Sequence, residues 1–121
     1  MATESLSKRF AASDVQLVAK LFRGFAEPVR LAIVVELAAD ELRVTDLVRR
    51  VGSSQANVSG HLACLKECGL VVDRPEGREV FYSIAAPEVV RVVRAAEALL
   101  AVTGHSVDLC PSYRAPRTRR P

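Results

Sequence analysis

The stretch RVTDLVRRVGSSQANVSGHLACLKECG, residues 43–69, decides the fold. A short helix is predicted to begin around 45–46 and to stop at Gly52, and Ser53 or Ser54 can cap a second helix that runs to the last glycine. Two helices joined by a tight turn that contains glycine form a helix-turn-helix. The residues predicted to pack these helices together are Val44, Leu47, Val48, Val51, Val58, Leu62 and Leu65.

The segments on either side of this stretch complete a recognisable order of elements. Two β-rich runs follow it in residues 70–84, around a turn centred on Pro75 to Gly77, which predicts a β-hairpin. Helices are predicted over residues 13–25 and from Pro28 onward, because proline is tolerated in a first helical turn, and a last helix runs over residues 87–103. The fold class is therefore predicted as mainly α with a small β-hairpin, a winged helix-turn-helix.

The first and last helices are richer in apolar residues than a core of this size can cover. That excess predicts a homodimer in which they pack against helices of the partner, and the alternative is a monomer with the last helix folded back. We expect a DNA-binding and dimerisation domain over residues 13–105, a flexible N-terminal arm at 1–12 and a C-terminal tail at 106–121.

Length and charge bound the possibilities less sharply. A chain of 121 residues is one domain's worth. The formal net charge of +3 includes four tail arginines, and without them the chain would carry about −1, so the basic total is weak support for nucleic-acid binding. Those four are Arg114, Arg117, Arg119 and Arg120, in a proline-rich tail that is predicted to be disordered.

Several classes of protein are disfavoured by what the sequence lacks. It has no apolar run typical of a signal peptide or a membrane span, so we expect a soluble, cytoplasmic protein with no membrane partner. An odd count of three cysteines argues against a disulfide framework. The sequence shows no glycine-rich phosphate loop and no paired carboxylates, so we expect neither an enzyme with a small-molecule substrate nor an organic cofactor.

The second helix of the motif carries polar side chains suited to DNA. With about 100° between successive residues, Val58, Leu62 and Leu65 share a stripe that must face the core. Asn and Gln can bond adenine through two hydrogen bonds, while serine hydroxyls and helix N-termini bind phosphate. Arg74 and Arg78 flank the predicted wing turn. The predicted DNA-contacting residues are Ser54, Gln55, Asn57, Ser59, His61, Arg74 and Arg78.

Two cysteines lie four residues apart on the same helix. Cys64 and Cys68 share one face with Cα atoms roughly 6 Å apart, so two thiolates there can hold one large soft ion, whereas a disulfide between them would be strained. Ordinary burial beside the core is an equally valid interpretation of the pair alone. Cys110 follows the last helix in a segment that could close over such a site.

The motifs together resemble one family. FAEPVRLAIVVEL (residues 25–37), ELRVTDLVRRVGSSQANVSGHLACLKECGLV (41–71) and PEGREVFYSI (75–84) are similar to the ArsR/SmtB family of metal-sensing repressors, over roughly residues 15–103. The resemblance implies a dimeric winged helix-turn-helix protein that binds operator DNA when metal-free. It also implies that an effector weakens this binding and derepresses resistance or efflux genes.

The resemblance also suggests where the effector binds. NVSGHLACLKECGLV (residues 57–71), with one distant C-terminal cysteine, is similar to the cadmium- and lead-sensing subgroup known from mycobacteria. The implied metal ligands are Cys64, Cys68 and Cys110, the last coming from the partner protomer in that subgroup. Other subgroups use two cysteines where this chain has Arg43 and Thr45, or a histidine pair that its last helix lacks.

Three thiolates would select a soft metal ion, Cd(II), Pb(II), Hg(II) or As(III), over hard ions. His105, Asp108 or His61 could add a fourth ligand for Cd(II). The predicted function is therefore a metal-responsive transcriptional repressor of operator DNA. The alternative is a redox-sensing or As(III)-sensing repressor that uses the same cysteines.

Overall fold

The computed structural model describes residues 11–110, so most of the predicted N-terminal arm and the tail arginines lie outside the described residues. The predicted fold class is confirmed: the chain is mainly helical, with a small antiparallel sheet of three strands. The elements in chain order are α1 Ala12–Ala26, α2 Pro28–Ala39, β1 Leu42–Arg43, α3 Val44–Val51, α4 Gln55–Glu67, β2 Val71–Glu76, β3 Glu79–Ile84 and α5 Pro87–Val102.

The turn between α3 and α4 follows the sequence closely. Gly52 has a φ of 70°, in the left-handed region that favours glycine, and its N–H donates to the Val48 carbonyl at 3.1 Å. Ser54 caps α4, because its Oγ accepts from the Asn57 N–H at 3.1 Å. The helix-turn-helix and its cap are therefore confirmed, although α3 begins slightly earlier than predicted, at Val44.

The sheet contains one strand more than the predicted hairpin. Its order is β1-β3-β2, and the short β1 pairs with the middle of β3. The predicted turn centre at Pro75 to Gly77 is wrong, because Pro75 and Glu76 lie in β2 and the turn is the two-residue Gly77 and Arg78. Proline fits there because β2 is an edge strand, and Gly77 has the positive φ that such tight hairpin turns require.

The core lies where α2, α3, α4, the sheet and α5 meet. Val58, Leu62 and Leu65 are at most 1% exposed, which confirms the predicted buried stripe of α4. The apolar α2 is also buried along much of its length, with Ile33 and Val34 fully inaccessible. Burial of the α4 stripe fixes the rotation of that helix about its axis, and therefore where its polar and cysteine residues point.

Ion pairs attach the wing to the helices. Arg43 bonds Asp46 at 3.1 Å and Glu79 of β3 at 2.6 Å, and Lys66 of α4 bonds Asp73 of β2 at 2.9 Å. The hydrogen bond from Arg43 lowers the pKa of Asp46 from its usual 3.8 to about 2. The wing is thus held to α3 and α4 by charged contacts as well as by the core.

No helix within residues 11–110 is long and apolar enough to cross a membrane.

We expect Asp46→Asn to lower the free energy of unfolding at pH 7 by about 1–2 kcal/mol, because it removes a carboxylate bonded to Arg43. The folded-state pKa of Asp46 is depressed, so its contribution is complete above about pH 4 and is lost as the pH falls toward 2. The difference between wild type and variant should shrink over that window in urea unfolding at fixed protein concentration. Glu88→Gln, at an exposed ion pair on α5, is the matched control. An equal effect of the two substitutions would contradict the role given to Asp46.

Candidate functional site

The N-terminal half of α4 presents polar side chains to solvent. Gln55, Asn57 and Ser59 are exposed, while Val58 between them is buried. Asn57 also donates from Nδ2 to the Ser53 Oγ at 2.6 Å, which attaches it to the turn before the helix. This half of α4 offers an exposed hydrogen-bonding surface of the size that fits a major groove.

The two wing arginines differ in their surroundings. Arg78 lies exposed in the hairpin turn. Arg74 forms two hydrogen bonds with the buried Glu41 carboxylate, at 3.0 and 2.7 Å, pairs with Glu76, and lies 5.1 Å over the Phe81 ring. Arg74 therefore braces the wing against the start of β1, and Arg78 is the wing arginine whose side chain extends into solvent.

His61 faces the junction of α1 and α2. Its side chain is 17% exposed, with Nε2 at 3.5 Å from Glu27 Oε1 and Nδ1 at 3.4 Å from Arg30 Nη1. The imidazole therefore lies between a carboxylate on one ring nitrogen and a guanidinium on the other. The structure thus separates His61 from the exposed polar side chains with which the sequence grouped it.

Cys64 of α4 and Cys68, the C-cap residue directly after that helix, lie in the same row as His61 and are half-buried. They border a cleft of about 310 Å³ between α4 and α1, whose lining residues are Lys20, Arg23, Gly24, Arg30, Cys64, Glu67 and Cys68. Gly24 is buried, and a Cβ on it would lie 3.2 Å from Leu70 Cδ1 and 3.7 Å from Cys68 Sγ. The absence of a side chain at Gly24 therefore allows α1 to pack directly on the cysteine row.

Cys110 lies apart from this pair, against α5. It is 3% exposed, and its carbonyl accepts from Arg94 Nε and Nη2, both at 3.2 Å. Glu97 Oε2 accepts from the backbone N–H groups of Leu109 at 2.6 Å and Cys110 at 3.2 Å. Burial raises the pKa of the Cys110 thiol, the Glu97 carboxylate acts in the same direction, and Arg94 opposes it.

The predicted ligand set is only partly assembled in one protomer. The two thiols of Cys64 and Cys68, one helical turn apart beside a cleft, are the side chains that could supply two ligands to a soft metal ion. Within residues 11–110, no three Cys, His, Asp or Glu side chains are grouped to hold a metal. His105 is exposed, with Nδ1 at 3.4 Å from Thr103 Oγ1, and Asp108 is exposed as well.

Sequence reasoning missed four residues that shape the site. Glu27 caps α2 by accepting the Arg30 N–H at 2.8 Å, and a Glu-Pro pair before an apolar helix could have indicated this. Arg30, Arg94 and Glu97 carry no comparable signal, because each contacts residues that are distant along the chain or lie on other elements.

Known proteins share both the fold and the sequence of this chain. Residues 27–72 match the family described as "Bacterial regulatory protein, arsR family". A Streptomyces lividans protein described as a probable mercury resistance operon repressor is 36% identical over 92 residues, covering 76% of this chain and 74% of that protein. The regulator CmtR of Mycobacterium bovis is 40% identical over 76 residues, covering 63% of this chain and 64% of that protein.

A solved structure extends the match to the whole fold. The homodimeric winged helix-turn-helix domain of a possible ArsR-family regulator from Mycobacterium bovis has a TM-score of 0.70 at 28% identity, covering 80% of this chain and 92% of that chain. The relatives are described as transcriptional regulators, which confirms the prediction that the chain is not an enzyme. This chain belongs to the ArsR/SmtB family of bacterial transcriptional repressors.

Proposed function

We propose that the chain is a homodimeric repressor that binds operator DNA when metal-free and releases it on binding Cd(II), Pb(II) or Hg(II). The ion is bound by Cys64 and Cys68 together with Cys110 of one of the two subunits. Release derepresses resistance or efflux genes. The observation that carries this proposal is that one helix, α4, presents an exposed polar N-terminal half and two thiols in its C-terminal half.

The exposed half of α4 supports operator binding. In helix-turn-helix proteins the second helix enters the major groove N-terminus first, and that end of α4 carries Gln55, Asn57 and Ser59. Ser54 contributes the capped first turn, where backbone N–H groups can bind a phosphate. Arg78 at the tip of the wing can contact the neighbouring DNA backbone, while Arg74 is engaged with Glu41 and His61 with Arg30.

Unpartnered apolar side chains on α1 and α5 support the homodimer. Leu17 is 68% exposed and Phe22 58% exposed on α1, and Leu99 is 67% exposed on α5. Such clustered apolar surface on a small protein marks a site of association. The α4 helices of the two protomers, related by a two-fold axis, would then contact successive major grooves of a palindromic operator.

The surroundings of the cysteine pair support a thiophilic effector. Thiol sulfur is a ligand that soft ions prefer, and both cysteines line a cleft through which an ion can reach them. The Streptomyces lividans relative is described in connection with mercury resistance, which agrees with an effector of this class.

The effector acts through α4, which it shares with the operator. Metal binding at Cys64 and Cys68 constrains the face of α4 that contacts α1, and so changes the position in which the exposed face meets the groove. Arg30 and His61 contact each other at the same junction, and they connect the cysteines with the N-terminal half of α4. A coupling free energy of roughly 3 kcal/mol would weaken operator binding about 150-fold.

Gln55→Ala should weaken operator binding by about 1–3 kcal/mol and relax the preference for one base, since it removes a base-edge contact. Arg78→Ala should weaken binding to all sequences and reduce the slope of log affinity against log salt by about 1. Fluorescence anisotropy measures the affinity and its salt dependence, with DNA from the promoter region of the gene that encodes this chain. Arg91→Ala, an exposed arginine on α5, is the matched control, and a loss equal to that of Arg78→Ala would refute a specific wing contact.

Cys64→Ser and Cys68→Ser should keep the metal-free operator affinity and lose the response to metal. In wild type, saturating Cd(II), Pb(II) or Hg(II) should weaken binding about 150-fold and produce sulfur-to-metal charge-transfer absorption. Peroxide and As(III) serve as parallel arms. Release by peroxide alone would select the redox interpretation, and a wild-type protein whose operator binding ignores every metal would rule out the proposal.

Leu99→Glu should convert the dimer to a monomer and reduce operator affinity, because it places a charge in the proposed apolar interface. Val72→Glu makes the same change at an exposed apolar residue of the wing, outside α1 and α5, and should leave the dimer intact. Sedimentation velocity over a range of protein concentrations distinguishes them. A Leu99→Glu protein that remains dimeric would place the interface elsewhere.

A further inference from the structure

Residues 105–110, which we call the C-terminal strap, return along α5 after that helix ends. Gly104 makes the reversal with a φ of 94°, which favours glycine, and the next N–H, from His105, donates to the Leu100 carbonyl at 2.9 Å. The strap therefore runs antiparallel to α5, and its last residues reach Glu97 and Arg94, roughly one and a half and two helical turns before the end of that helix.

We propose that Glu97 and Arg94 are positioning residues that hold Cys110 away from the metal until the strap opens. Glu97 accepts two consecutive backbone N–H groups of the strap, and Arg94 donates twice to the Cys110 carbonyl. Both side chains are charged, and hydrogen bonds to charged groups are stronger than neutral ones. The inference rests on the proposed function only in taking Cys110 as a metal ligand.

The burial of Cys110 indicates whether these contacts favour or oppose metal binding. In the closed strap Cys110 is 3% exposed and packs with the core of its own protomer. It is not grouped with Cys64 and Cys68 among the described residues of that protomer, and a thiol covered by its own chain is equally inaccessible to the cysteines of a partner. The closed strap and coordination by Cys110 therefore exclude each other, so the contacts of Glu97 and Arg94 oppose metal capture.

Opening the strap also changes a second surface. Val107 and Leu109 border a cleft of about 550 Å³ between α1 and α5, opposite Phe22 and Leu100. Withdrawal of the strap would uncover this apolar cleft, next to the exposed apolar side chains of the same two helices. Binding of Cys110 to a metal would thus alter the α1–α5 surface that is proposed to form the dimer. A change in that surface would in turn change the distance between the α4 helices of the two protomers.

The reactivity of Cys110 in metal-free protein tests the closed strap directly. With Cys64→Ser and Cys68→Ser in place, Cys110 is the sole thiol of the chain. Adding Glu97→Ala should raise its rate of reaction with a disulfide reagent about tenfold, because two charge-assisted bonds are lost. Glu97→Gln keeps an accepting oxygen but loses the charge, so its rate should fall between those of the parent and Glu97→Ala, and Glu88→Ala on the exposed part of α5 is the matched control. Equal rates in the Glu97→Ala and parent proteins would overturn the inference.

The affinity for Cd(II) tests the consequence. When the competent state is only a fraction of the population, the apparent affinity falls by that fraction, so Glu97→Ala should bind Cd(II) about tenfold more tightly in a competition titration with a chelator. The same substitution should change nothing when Cys110→Ser is present, an interaction that general destabilisation would not produce. An unchanged Cd(II) affinity of Glu97→Ala would overturn this consequence. Equal Cd(II) affinities of wild type and Cys110→Ser would instead refute Cys110 as a ligand. The thiol reactivity would still show whether Glu97 holds the strap closed.

Discussion

Burial of three apolar side chains on α4 sets the direction of every other residue on that helix. Val58, Leu62 and Leu65 are at most 1% exposed, and each step along a helix turns by about 100°. Asn57 and Ser59 lie to the sides of this stripe and face solvent, and Gln55, in the first turn of the helix, is exposed as well. The same rotation directs the row that contains the two cysteines of α4 toward α1. The directions of the polar face of α4 and of its cysteine row therefore depend on one packing constraint.

The Arg30 side chain connects α1, α2 and α4. Its guanidinium donates to the carbonyls of Gly24 at 3.1 Å and Arg23 at 2.9 Å, which satisfies two groups at the C-terminal end of α1. It also contacts His61 of α4, and its own N–H is bonded by Glu27 at the start of α2. Three helices thus meet at one side chain beside the cysteine cleft, so a movement of α4 relative to α1 cannot leave these bonds unchanged.

The sequence predicted the features that depend on local pattern and missed those that depend on distant contacts. The α4 stripe, the Ser54 cap and the Gly52 turn follow from spacing and local propensity, and all are confirmed. Strand β1 has only two residues and forms because β3 pairs with it. Two residues are too few for an alternation of apolar and polar side chains to predict a strand. The surroundings of Arg74 and the place of Cys110 on α5 depend on partners between 7 and 33 residues away, beyond the reach of helical or strand periodicity.

A single helix can supply two thiols to one ion but not a third at a matching angle, because successive turns place side chains along a line rather than around a point. A three-thiolate site on this fold must therefore recruit its last ligand from another segment, and the strap that carries Cys110 is held by its own contacts on α5. An ion satisfied by two thiolates can bind at Cys64 and Cys68 without opening the strap. An ion that requires three must open it, and only then does it disturb the α1–α5 surface. On the proposed site, an ion held by two thiolates would therefore act through α4 alone, and an ion held by three would act through the strap as well.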